Sequence, residues 1–276
     1  MTTPFNLASF ADKTNSTGTA NPSAISDVAN TSTGALGFPV GTTAQRNATP
    51  VNGMTRINST TNVLEVYYNG SWVTISTFTP PGPTVIGEAY GGGYYAGQIS
   101  TTGNGVATHY LIVAPKSSET SSIAFATSLA TDPSSVINGP ANSSTMNNAN
   151  HPAAQYCESL SIGGYTDWYL PARNELEICY YNLTPFSDTN STSSGINPNA
   201  VPPRASNYTS ANPPQTSATI FRAGQSQAFA GSIYWTSTQA DTTDGFYQEF
   251  FSGFQNQRLK TSGSGTYVRA VRRIPI

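Results

Sequence analysis

Fourteen Asp and Glu, two His and two Cys are all the carboxylate, imidazole and thiol side chains that 276 residues carry. His109 and His151 each lack a second His or Cys at ligand spacing, so no zinc site is expected. Asp241 and Asp244 stand close in ADTTDG. That segment lacks the alternating Asp ladder and final bidentate Glu of an EF-hand loop, and reads as a turn with solvated carboxylates. Glu175 and Glu177, two apart on an expected helix, point to different faces. They make no acid–base pair unless the fold brings two of the 14 acids together across a cleft, as a glycosidase requires. Gly91, Gly92 and Gly93 in AYGGGYYAG have no Lys-Ser/Thr after them and read as a strand bend or close backbone contact. No nucleophile elbow, P-loop or dinucleotide fingerprint occurs. These residues predict no enzyme, no metal and no cofactor.

Composition narrows the classes further. Only 9% of the chain is charged, against roughly 25% in ordinary globular proteins. Ser (33), Thr (37) and Asn (23) make up about a third of it, yet 37% is apolar and 11% aromatic, which argues against uniform disorder. A net charge of −2 with three Lys argues against nucleic acid, whose phosphates need clustered cations. No apolar run approaches the ~20 residues of a membrane helix. The start, MTTPFNLASFADK, has no basic segment leading into an apolar one, so no signal peptide is expected. Cys157 and Cys179 form no disulfide framework. They lie on apolar helical stripes and are expected to be buried, inert thiols. Together these features suggest a turn-rich extracellular or virion β protein made in a reducing cytoplasm.

The chain reads in stretches. Residues 1–36 are rich in Ser, Thr, Asn and Ala with no sustained period, and would be ordered only against a partner, as an extended attachment arm. Residues 37–76 hold runs at 54–58, 63–68 and 72–76. Asn69-Gly70 between the last two is a strong hairpin signal, so a three-stranded antiparallel meander is expected. Such a sheet is marginal alone and needs copies of itself or a larger body to cover its apolar face. Residues 77–83, TFTPPGP, read as a Pro-rich linker. Within 84–276, a hairpin is expected around 101–105. Helices are expected over 152–160, stopped by Gly163 and Gly164, and near 172–183 after Pro171. The stretch before residue 150 reads as polar and that from 184 to 230 as a loop-rich insertion. Strands are expected at 232–236, 246–251 and 267–274, the last pairing with the early hairpin.

GGYTDWYLPARNEL (163–176), YWTST (234–238) and YVRAVRRI (267–274) resemble phage and bacterial domains built like the C-terminal domain of the Legionella collagen-like protein, a family related to C-type-lectin-like folds. The resemblance spans roughly 84–276 and implies an α+β fold with two helices and short antiparallel sheets. The block at 37–76 resembles a short β module of phage tail-fibre and other virion proteins. Physically, Gly163 and Gly164 would permit a positive-φ turn, Trp168 and Trp235 would anchor the core, and Leu170 and Pro171 would lead into the second helix. Asp167 would take nearby backbone amides. Strand alternation over 268–274 puts Val268, Ala270 and Arg272 on one side and Arg269, Val271 and Arg273 on the other, with no clean apolar face. One of these arginines is therefore expected to be held by an internal carboxylate, Asp167 or Glu175, and a charge swap of the true pair should restore a fold lost in the single variant.

The signatures of calcium-dependent sugar-binding lectins are missing, which leaves non-catalytic surface recognition. Residues 244–263 are rich in aromatics and amides. Phe246, Gln248 and Phe250 alternate with Tyr247, Glu249 and Phe251, one side facing the core and the other a contact surface. Ligand contacts are expected from Tyr247, Glu249, Phe254, Gln255, Asn256, Gln257 and Arg258. The resemblance implies contacts in this region, and Tyr208, Phe221 and Phe229 of the insertion are further candidates. The expected protein is a tailed-phage virion component, tail-fibre-like and homotrimeric. Its arm would bind other virion proteins and its lectin-like domain a host glycan or protein. A capsid fibre or head decoration protein is the alternative, and an envelope-degrading enzyme the third.

Overall fold

The computed structural model describes residues 38–61, 63–75 and 82–276. The expected arm, 1–36, lies outside the described residues, as do 77–81 of the expected linker. The chain divides into two compact units between Thr79 and Pro80. No helix among the described residues is long and apolar enough to cross a membrane.

The smaller unit is one sheet of four strands, β1 (Val40–Gly41), β2 (Thr55–Asn58), β3 (Val63–Tyr68) and β4 (Ser71–Thr74), in that order. The meander β2–β3–β4 is antiparallel. Asn69 (φ 47°) and Gly70 (φ 86°) make its last turn in the mirror-image geometry that matches strand twist. Strand β1 adds in parallel to β2 and was not visible in the sequence, because two residues show no period. A 3-10 turn at Thr43–Gln45 lies over one face, where Arg46 pairs with Glu65 at 2.6 Å and Arg56 donates to the carbonyls of Thr42 and Gln45.

The larger unit contains β5 (Ala89–Tyr90), β6 (Gly93–Ile99), β7 (His109–Val113), β8 (Thr120–Ser121), α1 (Gly139–Thr145), α2 (Pro152–Glu158), α3 (Arg173–Leu183), β9 (Ile233–Gln239), β10 (Asp244–Glu249), β11 (Gln255–Leu259), β12 (Thr266–Val268) and β13 (Val271–Pro275). Two sheets result, ordered β11-β10-β9-β12-β8 and β13-β7-β6-β5. The protein is α+β. Helix α3 packs against β6 of one sheet and β9 and β10 of the other. That explains its burial: the expected stripe Leu176, Cys179, Tyr180 and Leu183 is inside, and so are Glu175 and Glu177.

Several expectations need correction. The segment 267–274 is not one strand. It breaks at Arg269 and Ala270, so β12 pairs with β8 and β9 while β13 pairs with β7. The expected alternation is interrupted there, and Val268 through Arg272 are all buried. The polar stretch before residue 150 holds α1, whose start is capped by the Asn138 side chain with Pro140 in its first turn. Helix α2 ends at Glu158, before the glycines expected to stop it. Gly163 (φ 62°) and Gly164 (φ 84°) instead make a tight turn that bridges Ile162 and Tyr165. A Cβ on Gly163 would stand 2.7 Å from the Cα of Gly92, so two glycine turns touch through bare backbone.

Candidate recognition surface

That glycine contact sets the position of the residues after it. Asp167 follows, and both its oxygens take the Arg272 guanidinium (2.7 and 2.9 Å), while Arg272 also donates to the Gly91 carbonyl and lies 3.8 Å from the centre of the Tyr165 ring. Asp167 therefore holds a cation and not the backbone amides expected of it. The neighbouring Arg273 binds Glu175 at 2.7 Å. Both acids named in the sequence hold an arginine of the last strand, so two pairs exist where one was expected.

Glu175 is fully buried and accepts four hydrogen bonds, from Arg273 Nε, the Tyr169 hydroxyl and the amides of Ala172 and Gly139. Burial pushes its pKa up and those donors, Arg273 foremost, oppose the shift. The Tyr169 hydroxyl is pushed well above the usual phenol range, first by burial and then by the Glu175 charge. Glu177, two residues on, faces elsewhere and holds Arg204, the Tyr208 hydroxyl and Asn197 Nδ2. Asp132 bridges Lys260 and His151, each at 2.8 Å. The acids buried in the fold are thus occupied by cations. Among the described residues no group of three His, Cys, Asp or Glu could hold a metal.

Arg269 is also internal. It donates to the Ala114 carbonyl and to Gln227, lies 4.5 Å from the Phe229 ring centre, and its pKa is lowered by burial. Trp168 and Trp235 share one apolar cluster with Phe125 and Leu170. Pro171 is buried before α3 and its carbonyl accepts the Ser237 amide.

Three aromatic candidates are not on the surface. Tyr208 is 4% exposed, with its ring against Gly195 and its hydroxyl spent on Glu177. Phe221 and Phe229 are buried against the Arg269 guanidinium, 5.4 and 4.5 Å from it, while its N–H groups are directed at Ala114, Gln227 and Glu119. The 244–263 hairpin has the expected two sides. Gln248 and Phe250 are buried, while Glu249 is half-buried and Phe251 exposed. Tyr247 is half-buried, pairs in register with Trp235 and packs on the apolar cluster, so only its edge is available. Asn256 and Gln257 on edge strand β11 are exposed; Phe254, Gln255 and Arg258 are half-buried. The Gln255 backbone N–H donates to the Ser194 hydroxyl, and Arg258 Nε donates to the Ser262 hydroxyl.

One residue of this surface carried no signal of its own in the sequence. Arg173, in the first turn of α3, stacks 4.4 Å from the ring centre of Phe246, and Phe246 pairs in register with Gln257. Burial alone lowers the Arg173 pKa; no acid or hydrogen bond opposes it. Arg173, Phe246 and Gln257 therefore join a cation, an aromatic face and an amide on one side of the sheet edge, while Asn256 pairs with Tyr247 on the other side. Only the tertiary structure brings α3 beside β10.

Cys157 and Cys179 are free, buried and in different apolar clusters, and burial raises both thiols far above their usual range. A thiol reagent such as Ellman's is expected to find no reactive group in the native protein and two after denaturation. A fast-reacting native thiol would contradict this packing.

The architecture is an α+β body cross-braced by buried ion pairs, with an amide- and aromatic-rich hairpin at its edge. The family model of the Lcl C-terminal domain matches residues 130–272, just over half of the chain, and the chain belongs to that family. The match begins downstream of the β5–β7 hairpin, so it covers less than the 84–276 span of the sequence resemblance. No curated protein matches the chain.

Proposed function

We propose that this is a non-enzymatic virion structural protein of a tailed phage, tail-fibre-like, that displays a C-type-lectin-like domain for adsorption to a host-surface glycan or protein. In this reading residues 1–36 attach to other virion proteins and the copies form a homotrimer. The observation that carries the recognition role is the uncommitted Arg173–Phe246 stack beside exposed Gln257 on the same face of the sheet edge. Everywhere else in the larger unit that an arginine lies against an aromatic ring, it also binds a carboxylate or a carbonyl. Rigid aromatic area with adaptable amides suits a binding edge. Each contact is weak, and several copies engaging together supply avidity.

The test has two arms. Purified protein is expected to bind host cells and compete with phage adsorption, with the double variant Arg173→Ala, Phe246→Ala weakening binding about ten-fold or more while the thermal midpoint changes little. Unaltered binding by that variant removes this edge from the contact. Labelled antibody on intact particles should mark tails; head labelling would replace the tail-fibre reading with a capsid fibre or decoration protein. Soluble sugar released from cells would instead indicate an envelope-degrading enzyme.

A further inference from the structure

Among its described residues the smaller unit buries no apolar side chain. Its buried side chains are Arg56, Asn58 and Glu65, all polar and joined to each other and to residues 42–46. Register shows why. Arg56 pairs with Glu65 and Glu65 with Thr74, so these share one face. The opposite face carries Val40, Ile57, Leu64 and Ile75 in a row across all four strands, with Thr55, Val66 and Val73 beside them and Tyr68 at the end. Val40 is 67% exposed, Tyr68 65%, Val73 44% and Ile75 43%. All three charged residues of the described unit, Arg46, Arg56 and Glu65, are engaged with one another on the polar face. The apolar face therefore bears no charge at all.

We infer that this uncharged sheet face is a self-association surface on which copies of this chain meet. A four-stranded sheet with an exposed β-branched face gains little by folding alone; stacking that face on another like it supplies the missing core. Copies meeting here bring no like charges of the sheet together, because each charge among the described residues of this unit lies on its other side. Residues 1–36 contain no strand-length alternation of apolar residues that would match the row. The inference rests on the homotrimer of the proposed function and names the face through which it assembles. Host binding by the larger unit is a separate matter, read by a separate assay.

The experiment is sedimentation equilibrium of the full chain, whose single copy weighs 29.1 kDa. A multiple of that mass is expected. The double variant Val40→Glu, Val73→Glu places two like charges per copy on the face and should return the mass to 29.1 kDa. Val106→Glu, an exposed position of the larger unit, should leave the assembly intact. To guard against simple unfolding of the small sheet, Val73→Cys should form a disulfide between copies on mild oxidation, since Cys157 and Cys179 are buried. A monomeric wild type overturns the inference. So does an assembly that survives the double glutamate, or a Val73→Cys chain that fails to cross-link. An assembly lost on deleting residues 1–37 but indifferent to the double variant would assign the contact to that segment and overturn the inference too. Loss of cell binding without loss of the assembly would count against the recognition reading alone.

Discussion

Glu175→Ala is expected to unfold the larger unit or bring it close to unfolding. The substitution leaves Arg273 buried without its carboxylate and removes the acceptor from the amides of Gly139 and Ala172 and from the Tyr169 hydroxyl. Breaking a buried pair by deleting one partner costs about 3–5 kcal/mol, out of a total stability of roughly 5–15 kcal/mol. At about 2–4 °C per kcal/mol for a unit of this size, the thermal midpoint should fall by roughly 6–20 °C. Circular dichroism melts of wild type and variant measure it; a change under a degree or two would show that the four hydrogen bonds do not brace α3 against β13. The charge swap gives a sharper result than the sequence suggested. Exchanging Glu175 and Arg273 should not restore stability, because two backbone amides would then point at a cation. Exchanging Asp167 and Arg272 should be milder, since Asp167 accepts from Arg272 alone and its side chain is half exposed, which weakens the pair through solvent screening.

Trp235→Ala should be comparably severe, for an apolar reason. The ring is fully buried, lies edge-on to Phe125 at 5.8 Å and donates its Nε1 to the Ile123 carbonyl at 3.0 Å. Truncating a buried tryptophan to alanine costs about 3–5 kcal/mol through lost transfer energy and the cavity left behind. The phenylalanine variants separate two effects. Trp168 Nε1 is buried without a partner, so Trp168→Phe removes an unsatisfied donor along with some ring area. Trp235→Phe loses a made hydrogen bond, although the Ile123 carbonyl keeps its bond from the Thr266 hydroxyl. Denaturant midpoints should therefore fall further for Trp235→Phe than for Trp168→Phe. The reverse order would mean that Trp168 packs more of the cluster than Trp235 does.

The smaller unit's charge segregation and the larger unit's buried pairs follow one rule. With so few charged residues, most of those among the described residues are placed where a partner fixes them, and what remains outside is mainly amide and hydroxyl with scattered apolar side chains. That leaves a surface able to make many weak contacts and few strong ones, which suits the proposed recognition by several copies at once.

The sequence by itself determined the local elements whose periods are long enough to read. The Asn69-Gly70 hairpin, the β6–β7 hairpin, helices α2 and α3 and the two tryptophan anchors all follow from turn chemistry and apolar spacing. It also exposed the problem of the last segment, where alternating arginines deny a clean apolar face, and it named both acids that answer it. Tertiary structure alone decided the rest. Which arginine meets which acid depends on the 163–164 turn resting on Gly92, a contact between residues about seventy positions apart. Helix α3 could not be read as buried on several sides, because its glutamates look solvent-directed until Arg204 and Arg273 arrive from distant strands and loops. Tyr208 reads as a binding aromatic until Glu177 claims its hydroxyl, and Arg173 reads as an ordinary first-turn residue until β10 brings Phe246 beneath it. Local periodicity reports only which side of an element is apolar. Partner choice for a buried charge is a long-range matter, set by which elements the chain folds together.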